Sequence, residues 1–179
     1  MSRSLFITIH LYLSSFFGAA VLLVAISGGL YLIGIKGDVA ETVVATVDGG
    51  KALAADKSKA AVSAALEKAG VTDFAFDYVK DRGTTLYTRP TSETHYVLKL
   101  SGDDIEITRA EPTLQKRMME LHMGHGPTVY KTFQKVFAAG MVFIILSGLW
   151  LGLSSDRLRR NTLISAGAGL AIFIALIMG

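Results

Sequence analysis

The chain has 179 residues, 51% of them hydrophobic, a formal net charge of +3 and no cysteine. The missing cysteine excludes disulfides, iron–sulfur clusters, thiolate zinc sites and cysteine nucleophiles, and without a basic tract the small net charge gives nucleic-acid binding no support. The apolar residues gather at the two ends while the middle reads as soluble sequence, which is the pattern of an integral membrane protein with one extramembrane domain.

Residues 1–36 predict a first membrane helix, from about Leu5 to Ile35. Arg3 followed by an apolar run resembles a secretory signal peptide. The run is longer than the roughly 7–15 residues of a signal core, however, and no small-x-small cleavage site follows it. We read it as an uncleaved signal anchor. Ser14 and Gly18 stand four residues apart, as do Ala25 and Gly29. Small residues at this spacing let helix backbones approach closely inside a bilayer. The run ends in Ser27-Gly28-Gly29-Leu30-Tyr31-Leu32, with Tyr31 as an interface anchor.

Residues 37–126 are nearly neutral and predict a small α+β domain. The stretch up to Asp56 reads as a linker or an edge strand. Asp56 is the expected N-cap of a helix from Lys57 to Ala69, with Gly70 as its stop. Phe74, Phe76 and Tyr78 alternate as one face of a strand, and Thr84 to Arg89 forms another. Tyr96, Leu98 and Leu100 alternate with His95, Val97 and Lys99. Ser101-Gly102-Asp103-Asp104 is a turn into a strand containing Ile105 and Ile107. The expected order is helix, then antiparallel meander, around a core small enough to need support from the membrane helices or another chain.

Residues 127–153 predict the second membrane helix, with an uncharged run from Val136 to Leu153. It ends in Ser147-Gly148-Leu149-Trp150-Leu151, an echo of the end of the first run. Residues 154–161 carry Arg157, Arg159 and Arg160, and residues 162–179 form a third span. Gly148 and Gly152, and Ser165 and Gly169, repeat the small-residue spacing. Arg3 and the basic loop at 154–161 both favour the cytoplasmic side, so the N-terminus is expected inside and the central domain outside. Lys131 and Lys135 run against this bias, as lysines able to snorkel to lipid phosphates.

The residues His10, Gly18, Ser27, Gly28, Leu121, His122, Ser147, Gly148 and Leu149 flank the outer domain in an order that resembles the PepSY-associated transmembrane helix family. The outer domain likewise resembles PepSY. The resemblance implies three transmembrane helices with an inserted PepSY-like α+β domain, placed in the bacterial inner membrane with that domain in the periplasm. Larger members of the family are similar to inner-membrane reductases that hold haem b between helices and reduce ferric siderophores. Isolated PepSY domains are linked to peptidase inhibition or regulation.

Beside this resemblance the histidines keep two readings each. His10 is either an axial haem ligand or an interfacial histidine bonded to water, headgroups or Ser14. His122 and His125 are three apart and would share a helical face. With Met118 they fall at i, i+4 and i+7, a donor set suited to Cu(I). His122 alone could ligate haem, or the whole segment could pack on the outer domain while Gly124, Gly126 and Pro127 turn the chain into the membrane. About 20 helical residues, or roughly 30 Å, separate the depths of His10 and His122, so one iron cannot take both. Lys116, Arg117, Lys131 and Lys135 could form an outer basic cluster for haem propionates, an anionic siderophore or lipid phosphates. No nucleophile–base pair, phosphate loop or carboxylate pair stands out. The expected function is a non-enzymatic accessory or interaction subunit of a larger membrane complex, joined to a protein partner or to itself through the membrane helices. The alternative is a haem-b electron-transfer or ferric-siderophore reductase unit that works as an oligomer.

Overall fold

Three helices in the computed structural model, which describes residues 3–179, are long and apolar enough to cross a membrane: α1 (Arg3–Leu32), α5 (Thr128–Leu153) and α6 (Arg159–Met178). Between α1 and α5 lie β1 (Val39–Asp48), α2 (Gly50–Ala55), α3 (Lys59–Lys68), β2 (Tyr78–Arg82), β3 (Thr85–Arg89), β4 (His95–Ser101), β5 (Asp104–Pro112) and α4 (Leu114–His122). The chain divides into two compact units. One holds the residues up to Ala20 together with Lys135–Gly179; the other is Val21–Gln134.

In the first unit, side chains pack where a glycine leaves room. Phe17 is buried and its ring lies against the backbone of Gly140, 5.6 Å from the Phe137 ring. Phe6 and Trp150 meet with ring centroids 4.6 Å apart. Thr162 of α6 sits against Gly152 of α5. These contacts need no hydrophobic driving force, because small residues allow the close approach that dispersion and hydrogen bonding require in lipid.

In the second unit, five strands form an antiparallel sheet in the order β1-β5-β4-β3-β2. The meander is the expected one, and β1 adds to it as an edge strand on β5 with a bulge between Val43 and Ala45. One sheet face is covered by α2 and α3. Leu53, Val62, Leu66, Phe76, Leu86, Tyr96, Leu98, Ile105 and Ile107 form the core there. Truncating fully buried Leu86 or Leu98 to alanine would cost about 2–5 kcal/mol.

Two expectations shift by a few residues. Ser58, not Asp56, caps α3: its side chain accepts from the Ala61 amide, while Asp56 accepts from the Ser58 amide. The stop at Gly70 stands, in a left-handed conformation at φ 76° that glycine adopts without strain. Phe74 and Phe76 do not form a strand with Tyr78. The strand begins at Tyr78, and Phe76 reaches the core from the irregular chain ahead of it.

The alternation in β4 stands, but both of its faces are covered over the first half of the strand. His95 and Val97 face away from Tyr96 and Leu98, yet both are buried. Helix α4 lies over this second face and buries Met119 and Glu120. The second face therefore becomes a polar interior instead of a solvated surface.

Candidate functional site

The echo between Ser27-Gly28 and Ser147-Gly148 resolves into two copies of one local arrangement. In the first unit, His10 Nδ1 lies 2.8 Å from Ser147 Oγ. A Cβ added at Gly148 would meet His10 Cε1 at 3.2 Å. In the second unit, His122 Nδ1 lies 3.0 Å from Ser27 Oγ, and a Cβ at Gly28 would meet His122 Cε1 at 3.3 Å. In each, the serine holds the ring nitrogen and the next residue, lacking a side chain, leaves space for the ring.

The second partner of each serine bears on which ring nitrogen carries the proton. A serine hydroxyl has one proton. Ser27 has the Leu23 carbonyl of its own helix within hydrogen-bond reach at 2.6 Å, and Ser147 has the Ile144 carbonyl at 3.1 Å. When the serine proton goes to that carbonyl, the hydroxyl oxygen accepts from the histidine, the ring donates through Nδ1–H, and Nε2 keeps its lone pair. This is the tautomer in which an imidazole anchored through Nδ1 offers Nε2 to a metal. Both serines are buried, so the bond is shielded from water.

His125 goes elsewhere. Helix α4 ends at His122, with Met123 as its cap and Gly124 in a left-handed turn at φ 77°. His122 and His125 thus do not share a helical face, and the i, i+4, i+7 set with Met118 is broken at the helix end. His125 Nδ1 donates to Glu120 Oε2 at 2.8 Å. Among the described residues no group of three or more His, Cys, Asp or Glu side chains could hold a metal ion.

Glu120 is the centre of a second constellation, which the sequence did not single out. It is 7% exposed and accepts from Thr91 Oγ1 at 2.6 Å, from His125 and from Lys116 Nζ at 3.1 Å. Thr91 Oγ1 in turn accepts from Arg89 Nη1 at 2.7 Å, and that guanidinium stands 4.0 Å from the carboxylate. Burial works against the charge of Glu120, but the hydrogen bonds from Thr91, His125 and Lys116 prevail and hold its carboxyl below the usual range. Burial pushes His95 below its ordinary value, although its ring donates to the Glu93 carbonyl at 2.9 Å. These groups line a cleft of about 270 Å³ between α4 and the second sheet face.

The remaining expected residues are placed as follows. Gly148 and Gly152 stand at close contacts, whereas a Cβ at Gly18, Gly29 or Gly169 would meet nothing within 4 Å. Ala25 is exposed, and Ser14 donates to the His10 carbonyl. Ser165 lines an apolar hollow with Gly148, Thr162 and Ala166. Of the basic residues, Lys116 pairs with Glu120, Arg117 Nε donates to the Pro112 carbonyl at 3.1 Å, and Lys131 bonds the Tyr78 hydroxyl. Each has its own partner.

No protein-family model, no curated protein and no solved structure matches this chain.

The geometry also brings out Asp77, which sequence reading passed over. Its Oδ2 accepts from the amide and the hydroxyl of Thr128, the first residue of α5, at 2.7 Å each. Asp77 is an N-cap supplied from a distant part of the chain. Both bonds hold its carboxyl below the usual range. The only sequence signal for it was an acidic residue beside an aromatic pair, which is too common to read.

Proposed function

We propose that this protein is a haem-b-binding electron-transfer subunit of a bacterial inner membrane, working as an oligomer, in which His10 and His122 are the residues that would hold haem. One observation carries the reading: two imidazoles, each held at Nδ1 by a buried serine whose hydroxyl also reaches a backbone carbonyl, an arrangement that suits the Nδ1–H tautomer with Nε2 as the donor atom. Neutral histidine held through Nδ1 fits the donor chemistry of haem iron. Haem would supply one-electron storage at each site. The chain's own part is to fix ring orientation and tautomer, to keep water from the anchoring bond, and to hold the two sites in separate units. Each site offers a single histidine, so any further protein ligand would have to come from another copy or another subunit. The resemblance to the PepSY-associated transmembrane helix family supports the same assignment, and the basic residues Arg3, Arg157, Arg159 and Arg160 support a cytoplasmic N-terminus with residues 37–126 in the periplasm.

A cofactor-free accessory subunit is the second reading. It is favoured by one fact: each histidine already has a hydrogen-bond partner inside the chain, so packing alone accounts for its position. Absorption spectra separate the two. Protein purified in detergent from haem-replete cells is expected to show a Soret band and a reducible α-band, reduced in intensity in His10→Ala and in His122→Ala. A colourless protein, folded by circular dichroism, supports the accessory reading instead.

A further inference from the structure

We propose that the cleft between α4 and the second sheet face binds a small oxyanion, a carboxylate or phosphate group carried by a soluble molecule or by a lipid headgroup. This inference is independent of the haem reading. Arg89 is 6% exposed and lines the cleft, and its Nε is buried with no hydrogen-bond partner. Its one close contact is through Nη1 to Thr91 Oγ1. That hydroxyl relays to Glu120, which Arg89 itself approaches only to 4.0 Å and which Lys116 also claims at 3.1 Å. Two full cations therefore lean on one carboxylate. Arg82 adds a third cation to the cleft wall, with Glu41 as the other acid.

A buried guanidinium with an orphaned N–H is costly unless something completes its hydrogen bonds. Guanidinium presents its donors as a planar fork that matches carboxylate and phosphate oxygens. His95 and Tyr87 stand on the same wall and add polar groups at its margin. The volume of about 270 Å³ lies just under the roughly 300–1,000 Å³ of drug-sized ligand sites. It suits one small acid or one headgroup, not a nucleotide.

The test uses the full chain in lipid nanodiscs of phosphatidylcholine, titrated calorimetrically with inorganic phosphate and with succinate against a chloride control of equal ionic strength. The Arg89 Nε–H resonance is followed in parallel. Saturable binding that moves this resonance is the expected result. Arg89→Gln should weaken it by about tenfold or more, as loss of a charged hydrogen bond does. Should Arg89→Gln fail to fold, the exposed rim variant Arg82→Gln decides, with a weakening of roughly threefold and an unchanged melting temperature. In discs containing phosphatidylglycerol, loss of the calorimetric signal together with an already shifted resonance identifies the headgroup as the source. Absence of saturable binding and of any shift in both disc types overturns the proposal, as does binding that a folded Arg89→Gln, or Arg82→Gln in its place, leaves unchanged.

Discussion

The imidazole of His122 and the hydroxyl of Ser27 meet at 3.0 Å, with the side-chain-free face of Gly28 against the ring. His10 and Ser147 repeat this at 2.8 Å beside Gly148. The dipeptide Ser-Gly is thus a receptor for a histidine, used once in each unit. The two glycines differ in this from Gly29, which neighbours Gly28 in sequence and has open space where a Cβ would be.

Gly28→Val and Gly148→Val should each displace a histidine ring and cost about 1–3 kcal/mol, the usual range for overfilling a packed site. Gly29→Val should be close to neutral on the same scale. Thermal unfolding of the three variants in one detergent distinguishes them. Equal destabilisation by all three would mean that helix propensity, not the ring contact, sets the effect.

Asp77 ties the loop before β2 to the start of α5 through two bonds to Thr128. Asp77→Ala should cost about 0.5–2 kcal/mol, the range for losing a helix N-cap. Asp77→Asn retains an acceptor and should cost less. Hydrogen exchange at the first turn of α5 is the readout: protection should fall in Asp77→Ala and be largely kept in Asp77→Asn.

Glu120→Gln removes the carboxylate that Lys116, Arg89 and His125 share. Unpairing a buried charge of this kind costs about 3–5 kcal/mol, and most of that should appear as a lower unfolding midpoint in denaturant at neutral pH. Thr91→Val breaks the relay between Arg89 and Glu120 and should cost less, because Lys116 and His125 remain.

Acid should destabilise the sheet domain in two stages. His95 has a folded pKa below its unfolded value, so the folded state binds the proton less readily, and stability begins to fall as pH drops below about 6.5. Glu120 has a lowered folded pKa as well. Its contribution is complete above the ordinary carboxylate range and is lost as pH falls through that lowered value. Unfolding midpoints measured from neutral to acid pH should decline in this order. In Glu120→Gln the second decline should be shallower.

Much of the fold was legible because its signals are local. Long uncharged runs gave the three helices long and apolar enough to cross a membrane, and alternation gave β3, β4 and β5. Gly70 and Gly102 marked their turns. What failed needed partners far along the chain. The alternation of Phe74, Phe76 and Tyr78 imitates a strand, but Asp77 is drawn to Thr128, and pairing starts only at Tyr78. Nothing in β4 announces that α4 will cover His95 and Val97. Gly124 ends α4 one residue before His125, which sends His122 to Ser27 and His125 to Glu120. The Ser-Gly echo was visible as a repeat. Its meaning as two histidine receptors was not, because each receptor joins residues more than ninety positions apart.

The most direct test of the account is the protonation of the two imidazoles in cofactor-free protein, read by nitrogen-15 NMR of histidine-labelled chain in detergent, with His10→Ala and His122→Ala for assignment. The account predicts both rings as the Nδ1–H tautomer, converting to the Nε2–H form in Ser147→Ala and Ser27→Ala respectively. Finding His10 and His122 as Nε2–H tautomers in the unmodified chain would contradict it.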